Sequence, residues 1–255
     1  MSLLKNLNTE TDIADEKDSI GGGNNLLDSD LYGFKVALAY LQKSTGGALG
    51  LFLTLKTEDG KELKTNMYLT SGNDKGNKNY YEGKDKQKHY LPGFNLANSL
   101  ALLTTGKQIG ELAETTEMKV VNIYDYDTKG DIPTKVEVIT ELIGADINAG
   151  VLRQTVDKRK KGDDGKYVST GETRDENEID KFFCAKDKYL NMTATEIKSK
   201  VEKAVFVDQW VEANKGKVKD KTTKAGGTSG TPAKSGGGAG AAAKPANSLF
   251  GGDDD

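Results

Sequence analysis

Two runs of alternating apolar and polar residues, Leu49–Lys56 and Leu63–Thr70, flank a short polar stretch that contains Asp59-Gly60, and the register joining them can be worked out. A two-residue turn at Asp59-Gly60 would set Leu55 opposite Lys64 and Leu53 opposite Asn66, mixing the core and solvent faces. A three-residue loop, Glu58-Asp59-Gly60, with Gly60 left-handed, instead pairs Leu55 with Leu63, Leu53 with Thr65, Leu51 with Met67 and Leu49 with Leu69. This register commits the chain to an antiparallel hairpin with one buried face. The other face carries Lys56 opposite Glu62, Thr54 opposite Lys64, Phe52 opposite Asn66, and Tyr68 over Gly50. An outward Phe and Tyr flanked by lysines form either a platform on which bases stack or one side of a second packed layer, and the sequence leaves both open.

More strands surround this hairpin. Leu31–Tyr40 alternates, with Phe34, Val36, Leu38 and Tyr40 on one face. Met118–Tyr126 has strand character, as do Lys135–Ile143 and Ile147–Lys158 around the turn Gly144-Ala145-Asp146, while Lys166–Ser169 and Asn177–Cys184 have the length of edge strands. The run Asp125-Tyr126-Asp127-Thr128-Lys129-Gly130-Asp131 invites a calcium-loop reading. It fails because the fifth position is Lys129 and the twelfth is Val136, so a hairpin turn is the better reading. A helix is expected from a cap at Asn95, with Leu96, Leu100 and Leu103 on one face and a stop at Gly106. Thr193-Ala194-Thr195-Glu196 is a capping box opening a last helix. Its apolar positions Ile197, Val201, Ala204, Val205 and Trp210 keep helical spacing, which favours packing over base stacking for Trp210.

Two stretches gather cations. Between Ser71 and Tyr90, Lys75, Lys78, Lys84, Lys86 and Lys88 interleave with Tyr80, Tyr81, Tyr90 and His89 on a Gly- and Asn-rich loop. Lysines that track phosphates and rings that stack on unpaired bases would bind a single strand without reading its sequence; a solvated loop is the plain alternative. The second stretch carries Arg153, Lys158, Arg159, Lys160 and Lys161. A polyanion would relieve the repulsion among its consecutive cations, and a solvated strand end is the other reading. If the chain binds nucleic acid, both stretches are expected to line one channel.

Several chemistries lack their residues. Cys184 is the only cysteine and His89 the only histidine, which removes a disulfide framework and a Cys/His zinc finger and leaves His89 as the only histidine a Ser-His-Asp triad could use. There is neither a phosphate-binding G-x-x-x-x-G-K-[S/T] loop nor a G-x-G-x-x-G after a strand. No cofactor, metal site or enzymatic activity is expected, although scattered carboxylates leave a metal-dependent nuclease as an outside reading. No apolar run approaches a membrane span, and the N-terminus lacks the apolar stretch of a signal peptide, so a cytoplasmic protein is expected.

The two ends differ from the body. Net charge is −3 overall; residues 1–30 carry 2 basic and 7 acidic side chains, 31–214 carry 27 and 28, and 215–252 carry 7 and 1. Residues 1–30 form an acidic arm with a Gly21-Gly22-Gly23 hinge. Docking of this arm on a neighbouring molecule would give self-association, and simple fraying is the other reading. From Lys215 to Gly252 the chain is Lys, Gly, Ala, Ser, Thr and Pro without apolar periodicity, the composition of a disordered tether. Such a tether reaches roughly 35 Å. It ends in Leu249, Phe250 and the carboxylates of Asp253, Asp254 and Asp255, an anionic hook suited to a basic site on a partner protein or to the body's own polyanion groove. The domains expected are therefore an arm over 1–30, a body over 31–214 and a tail over 215–255.

A body with a mobile tail and an acidic, Phe-containing tip resembles single-stranded DNA-binding proteins of bacteria and their phages. The run Leu91-Pro92-Gly93-Phe94-Asn95-Leu96-Ala97-Asn98-Ser99-Leu100, followed by Thr105-Gly106-Lys107, is similar to the central part of the phage group, and the likeness extends to about Phe183. Short strands, hairpin turns and one intervening helix argue for a mainly β protein, and among such folds for an antiparallel barrel of the oligonucleotide-binding (OB) type whose end the helix plugs, followed by a C-terminal helix. The resemblance implies a protein that coats single-stranded DNA during replication, recombination or repair in the cytoplasm of an infected host. Its tip would compete with DNA and recruit a polymerase or helicase. On this reading the DNA-binding residues are Phe52, Lys56, Lys64 and Tyr68 with the two cationic stretches. A transcription-regulating or protein-interaction factor acting through its tail is the alternative.

Overall fold

The computed structural model describes residues 26–125, 128–162 and 167–223. The arm to residue 25 and the chain beyond 223 lie outside the described residues, and with them the expected partner-binding positions Leu249, Phe250, Asp253, Asp254 and Asp255. The chain divides into two units after Lys221, and the architecture below is that of the first.

In chain order the elements are β1 (Asp30–Lys43), β2 (Leu49–Lys56), β3 (Glu62–Tyr68), β4 (Tyr80–Glu82), β5 (Lys88–Tyr90), α1 (Pro92–Thr105), β6 (Thr116–Asp125), β7 (Gly130–Ile139), β8 (Asp146–Lys161), β9 (Tyr167–Phe183), α2 (Ala194–Lys198), α3 (Phe206–Asn214) and β10 (Val218–Asp220). The protein is mainly β. Eight strands form one sheet along the path β10-β8-β1-β2-β3, with β9 on β8 and the β6–β7 ribbon attached to β1 through β7; β4 and β5 form a separate hairpin. No ladder joins β3 to β9 among the described strands, so the expected closed ring of hydrogen bonds is not formed.

The β2–β3 register is the one required by keeping its leucines on one side: Leu55 faces Leu63, Leu53 faces Thr65 and Leu51 faces Met67. The Thr57 N–H donates to the Lys61 carbonyl at 2.9 Å, which leaves Glu58-Asp59-Gly60 as the loop. Gly60 has φ +85°, a conformation that disfavours a side chain. In β1 the alternation breaks. A bulge between Val36 and Leu38 inserts Ala37, so Val36 faces Leu55 but Leu38 faces Thr54. Phe34 and Val36 therefore share the main core with Ala39, whereas Leu38 and Tyr40 turn to the opposite face.

Two apolar layers result. The larger packs Phe34, Val36, Leu51, Leu53, Leu55 and Met67 against Ala97, Leu100, Ala101 and Leu103 of α1. The smaller, on the other side of β1–β2, packs Tyr40, Val136 and Val138 with Leu38, Phe52, Val121 and Ile123, and the β6–β7 ribbon covers it. Helix α1 starts earlier than a cap at Asn95 would place it. Pro92 stands in its first turn, where the missing N–H costs nothing, and Gly106 ends it at φ +81° with its N–H on the Leu102 carbonyl.

Three further boundaries differ from expectation. The two edge strands expected at 166–169 and 177–184 are parts of one strand, β9, paired with β8 along most of its length. The expected last helix is two, α2 and α3, and Glu196 serves both. Its carboxylate accepts the Thr193 N–H at 2.8 Å, completing the capping box of α2, and the N–H groups of Val205 and Phe206 at 2.8 and 2.9 Å at the start of α3. Burial opposes its charge, but these donors and the Thr193 hydroxyl hold its carboxyl below the usual glutamate range.

The body also continues past residue 214. β10 lies parallel to β8, with Val218 against Arg153 and Asp220 against Thr155. Ser29 fastens this addition. Its buried hydroxyl accepts the Arg153 N–H at 2.8 Å and donates to the Lys217 carbonyl at 2.5 Å, and its own carbonyl takes the Gly216 N–H. Composition misplaced this boundary because backbone pairing needs no apolar side chains. No helix among the described residues is long and apolar enough to cross a membrane.

Candidate nucleic-acid interface

Between the unpaired flanks of β3 and β9 runs a groove of about 1820 Å³. Its walls are Thr65–Tyr68 of β3, Glu178–Phe182 of β9, the β4–β5 hairpin, the first turn of α1, the start of α2, and Phe206. Gly93 makes one corner possible. A Cβ there would stand 2.4 Å from the Tyr68 carbonyl oxygen, so only glycine lets α1 begin this close to β3.

The Lys- and Tyr-rich stretch between residues 71 and 90 is not a structureless loop. A 3-10 turn at Asn73–Lys75 is held by the Gly76 N–H on the Asn73 carbonyl, and Ser71 N–H donates to the Lys78 carbonyl at 2.8 Å. The chain then folds into the β4–β5 hairpin, with Tyr80 opposite Tyr90 and Tyr81 opposite His89. The Asp85 carboxylate accepts the Gln87 N–H within the turn, and that bond, with His89 beside it, keeps its carboxyl below the usual aspartate range.

The aromatic rings are thereby fixed. Tyr90 stacks on Phe94 of α1 at 4.9 Å, and the ammonium groups of Lys88 and Lys78 sit over the Tyr80 ring at 5.0 and 5.7 Å. Tyr68, Tyr81 and Tyr90 remain 45%, 50% and 57% exposed and all line the groove. Tyr68 covers Gly50, as the hairpin register requires.

Lys75, Lys78, Lys88 and Lys181 also line the groove. No carboxylate among the described residues lies within ion-pairing distance of these four. Five acids line it too: Asp74, Glu82, Glu178, Asp180 and Glu196. Three of them are engaged: Glu178 by Lys221, Asp180 by the Trp210 indole N–H at 2.7 Å, and Glu196 by its helix starts. The groove therefore carries four ammonium groups and five carboxylates, and of the five only Glu178 is paired with a cation among the described residues; the hydrogen bonds of Asp180 and Glu196 hold those two in place without discharging them.

Tyr68, Lys75, Lys78, Tyr80, Tyr81, Lys88 and Tyr90 are thus brought together, and the other expected DNA-binding residues are not. Phe52 stacks on Tyr40 at 5.2 Å with an interplanar angle of 12°, inside the smaller apolar layer. It belongs to a second packed layer and offers no platform. Lys56 lies 3.8 Å from Glu62 at the far end of the β2–β3 hairpin, and Lys64 faces Thr54 outside the groove. Lys84 and Lys86 occupy the β4–β5 turn, also outside it.

The second cationic stretch does not share the groove. Arg153 is clamped between Asp175 and Asp28 at 3.0 and 3.1 Å, and Lys158 is 3.0 Å from Glu172. The hydrogen bonds that Arg153 donates to Asp175 and Asp28 raise its pKa further and keep it a structural cation. Arg159 and Lys160 lie farther out along the β8–β9 ribbon, opposite Ser169 and Val168. The Lys161 backbone pairs with Tyr167, and its side chain is outside the described residues. A single channel holding both stretches is therefore not what the fold builds.

Sequence reading missed Lys181, Asp180, Glu178 and Phe206. Nothing local marks them; they reach the groove because β9 is one long strand and α3 turns back beside it. Among the described residues no cluster of His, Cys, Asp and Glu is arranged to hold a metal ion. Trp210 is buried, as expected, but the continuous helical spacing that suggested it is broken between α2 and α3, where Val201 and Val205 are exposed. The sequence matches no known protein-family model, and comparison with curated proteins gives no match either.

Proposed function

We propose that the protein binds single-stranded DNA in this groove, with little sequence preference, in the manner of the phage proteins its central segment resembles. The observation that carries the reading is the convergence, on one groove of a β sheet, of three exposed tyrosines with lysines that pair with no carboxylate among the described residues. Unpaired bases present π faces and phosphates together, and a duplex hides the former. Rings held by a hairpin and by α1 need little ordering on binding, which favours affinity.

The strand order β3-β2-β1-β8-β9, with a helix following β3, supports an OB-like barrel. In this view β6–β7 is an inserted ribbon and the opening between β3 and β9 is the binding cleft. Folds of this type place ligand on the second and third strands and on the loops joining strands one to two and four to five. The β8–β9 ribbon with Arg159 and Lys160 would correspond to the latter, outside the groove. The acidic tip completes the proposal. It would compete for the same lysines and recruit replication or recombination proteins when DNA displaces it.

The test is fluorescence anisotropy of labelled oligo-dT and of a duplex of equal length, titrated against salt. Preference for oligo-dT, and a logarithmic salt slope that falls by about 0.7 for each of Lys78 and Lys88 changed to Gln, is expected. Equal binding of both nucleic acids, or a slope indifferent to these lysines, would leave the protein-interaction reading in place.

A further inference from the structure

Strand β6 is an unguarded edge. It pairs with β7 through ten consecutive positions without a register shift, and no strand lies on its other side among the described residues. Edge strands are commonly blunted by proline, a bulge or several charges; β6 carries no proline and no bulge, and its three charged residues, Glu117, Lys119 and Asp125, all fall on the face opposite Met118, Val120 and Tyr124. Its outward face displays Met118, Val120 and Tyr124 at 57%, 68% and 49% exposure, while the other face packs Val121 and Ile123 on the smaller core.

We propose that this edge is the seam of a homodimer, in which β6 of two copies pair antiparallel with Asn122 on the two-fold axis. The occupant follows from self-complementarity. An axis passing between two residues would set odd positions against even ones and send the apolar stripe to opposite sides of the joined sheet, so the axis must pass through a residue. At Lys119 it opposes two ammonium groups. At Val120 it puts Glu117 on Ile123 and Lys119 on Val121. At Val121 it puts Glu117 on Asp125 and Lys119 on Ile123, at Ile123 it puts Val121 on Asp125, and at Met118 or Tyr124 little of the strand overlaps. With the axis at Asn122 every pair matches: the two amides meet each other, Val121 meets Ile123, Val120 meets Tyr124, and Lys119 meets Asp125. Asp125 is held in place for this by the Thr128 N–H and hydroxyl at 2.8 and 2.9 Å. Lys119, 3.1 Å from Glu117 on its own strand, has further donors to share.

Sedimentation equilibrium of the full chain without nucleic acid tests the proposal independently of the DNA-binding reading. The wild type is expected to form dimers and Asn122→Lys, which places two charges on the axis, to remain monomeric. Cysteine scanning then tests the register, because Cys184, the only native cysteine, is buried. Residues opposite each other across an antiparallel pair have Cα atoms about 4.5–5.5 Å apart, within disulfide range, whereas the two Val120 positions would be displaced by about 13 Å. Asn122→Cys should cross-link across the dimer on mild oxidation and Val120→Cys should not. A wild type that stays monomeric up to its solubility limit, a dimer that survives Asn122→Lys, or cross-linking through Val120→Cys in preference to Asn122→Cys would overturn the proposal.

Discussion

Gly150 of β8 lies against the indole of Trp210, so closely that a Cβ on the glycine would stand 2.7 Å from the ring carbon Cζ2. The ring meets Phe183 edge-on at 6.3 Å and donates its N–H to Asp180 at 2.7 Å. α3 is thus seated on β8 and β9, and its first residue, Phe206, reaches the groove that β9 helps to wall. Gly150→Ala must push the indole out of this seat, and overpacking of this kind costs about 1–3 kcal/mol. A lower urea midpoint with red-shifted emission from the only tryptophan is expected; an unchanged midpoint would mean that α3 is not held through this contact.

The Phe52 and Tyr68 side chains leave the same face of the β2–β3 hairpin but have different tasks. Phe52→Ala removes half of the Tyr40 stack and should cost roughly 2–4 kcal/mol of stability, with oligo-dT affinity of the folded fraction unchanged. Tyr68→Ala and Tyr81→Ala should do the reverse. Each is expected to weaken oligo-dT binding by about 5- to 100-fold, the value of one stacked base, with a small effect on the urea midpoint. Paired denaturation and anisotropy measurements on the three variants separate the roles.

The hairpin was legible because the alternation of its leucines and Gly60 select one register and one loop together. In β1 the same alternation misled. A bulge at Ala37 swaps faces without a glycine or proline to announce it, and the apolar partners on both faces make either assignment look reasonable. Phe52 was ambiguous for the same reason, since only the placement of the β6–β7 ribbon decides whether an outward ring is covered. The stretch from 71 to 90 looked unstructured because its residues favour turns; its hairpin is closed by Tyr and His, which pair across strands as readily as they stack on bases. Arg153 looked available because its partners, Asp28 and Asp175, are distant in sequence.

Glu196 offers a prediction about the C-terminal helices. Its one carboxylate caps both α2 and α3, and Glu196→Ala should destabilise the protein by about 1–3 kcal/mol, as loss of two helix starts implies. Because the folded carboxyl titrates below its unfolded value, its contribution is complete above about pH 4.5 and lost as pH falls through the lower folded value. Stability of the wild type should therefore decline more steeply below pH 4.5 than that of the variant. Parallel acid limbs in thermal melts would show that this carboxylate does not supply the link.

Arg153 is expected to be a structural residue with no part in binding. Arg153→Met releases Asp175 and Asp28 and should lower the urea midpoint, while the oligo-dT salt slope stays that of the wild type. Asp175, held low by the Thr155 hydroxyl and by Arg153, adds to the same acid limb, since its stabilisation is present above about pH 4 and lost below it. A reduced salt slope in the variant would place Arg153 on the nucleic acid instead.

The most direct test is photocross-linking of oligo-dT substituted with 5-iododeoxyuridine, followed by mass spectrometry of the adducted peptides. If unpaired bases stack in the groove, adducts should fall on Tyr68, Tyr81 or Tyr90 and be competed by unlabelled oligo-dT far better than by duplex. Adducts confined to the β8–β9 ribbon, or competed equally well by duplex, would contradict a single-strand site between β3 and β9.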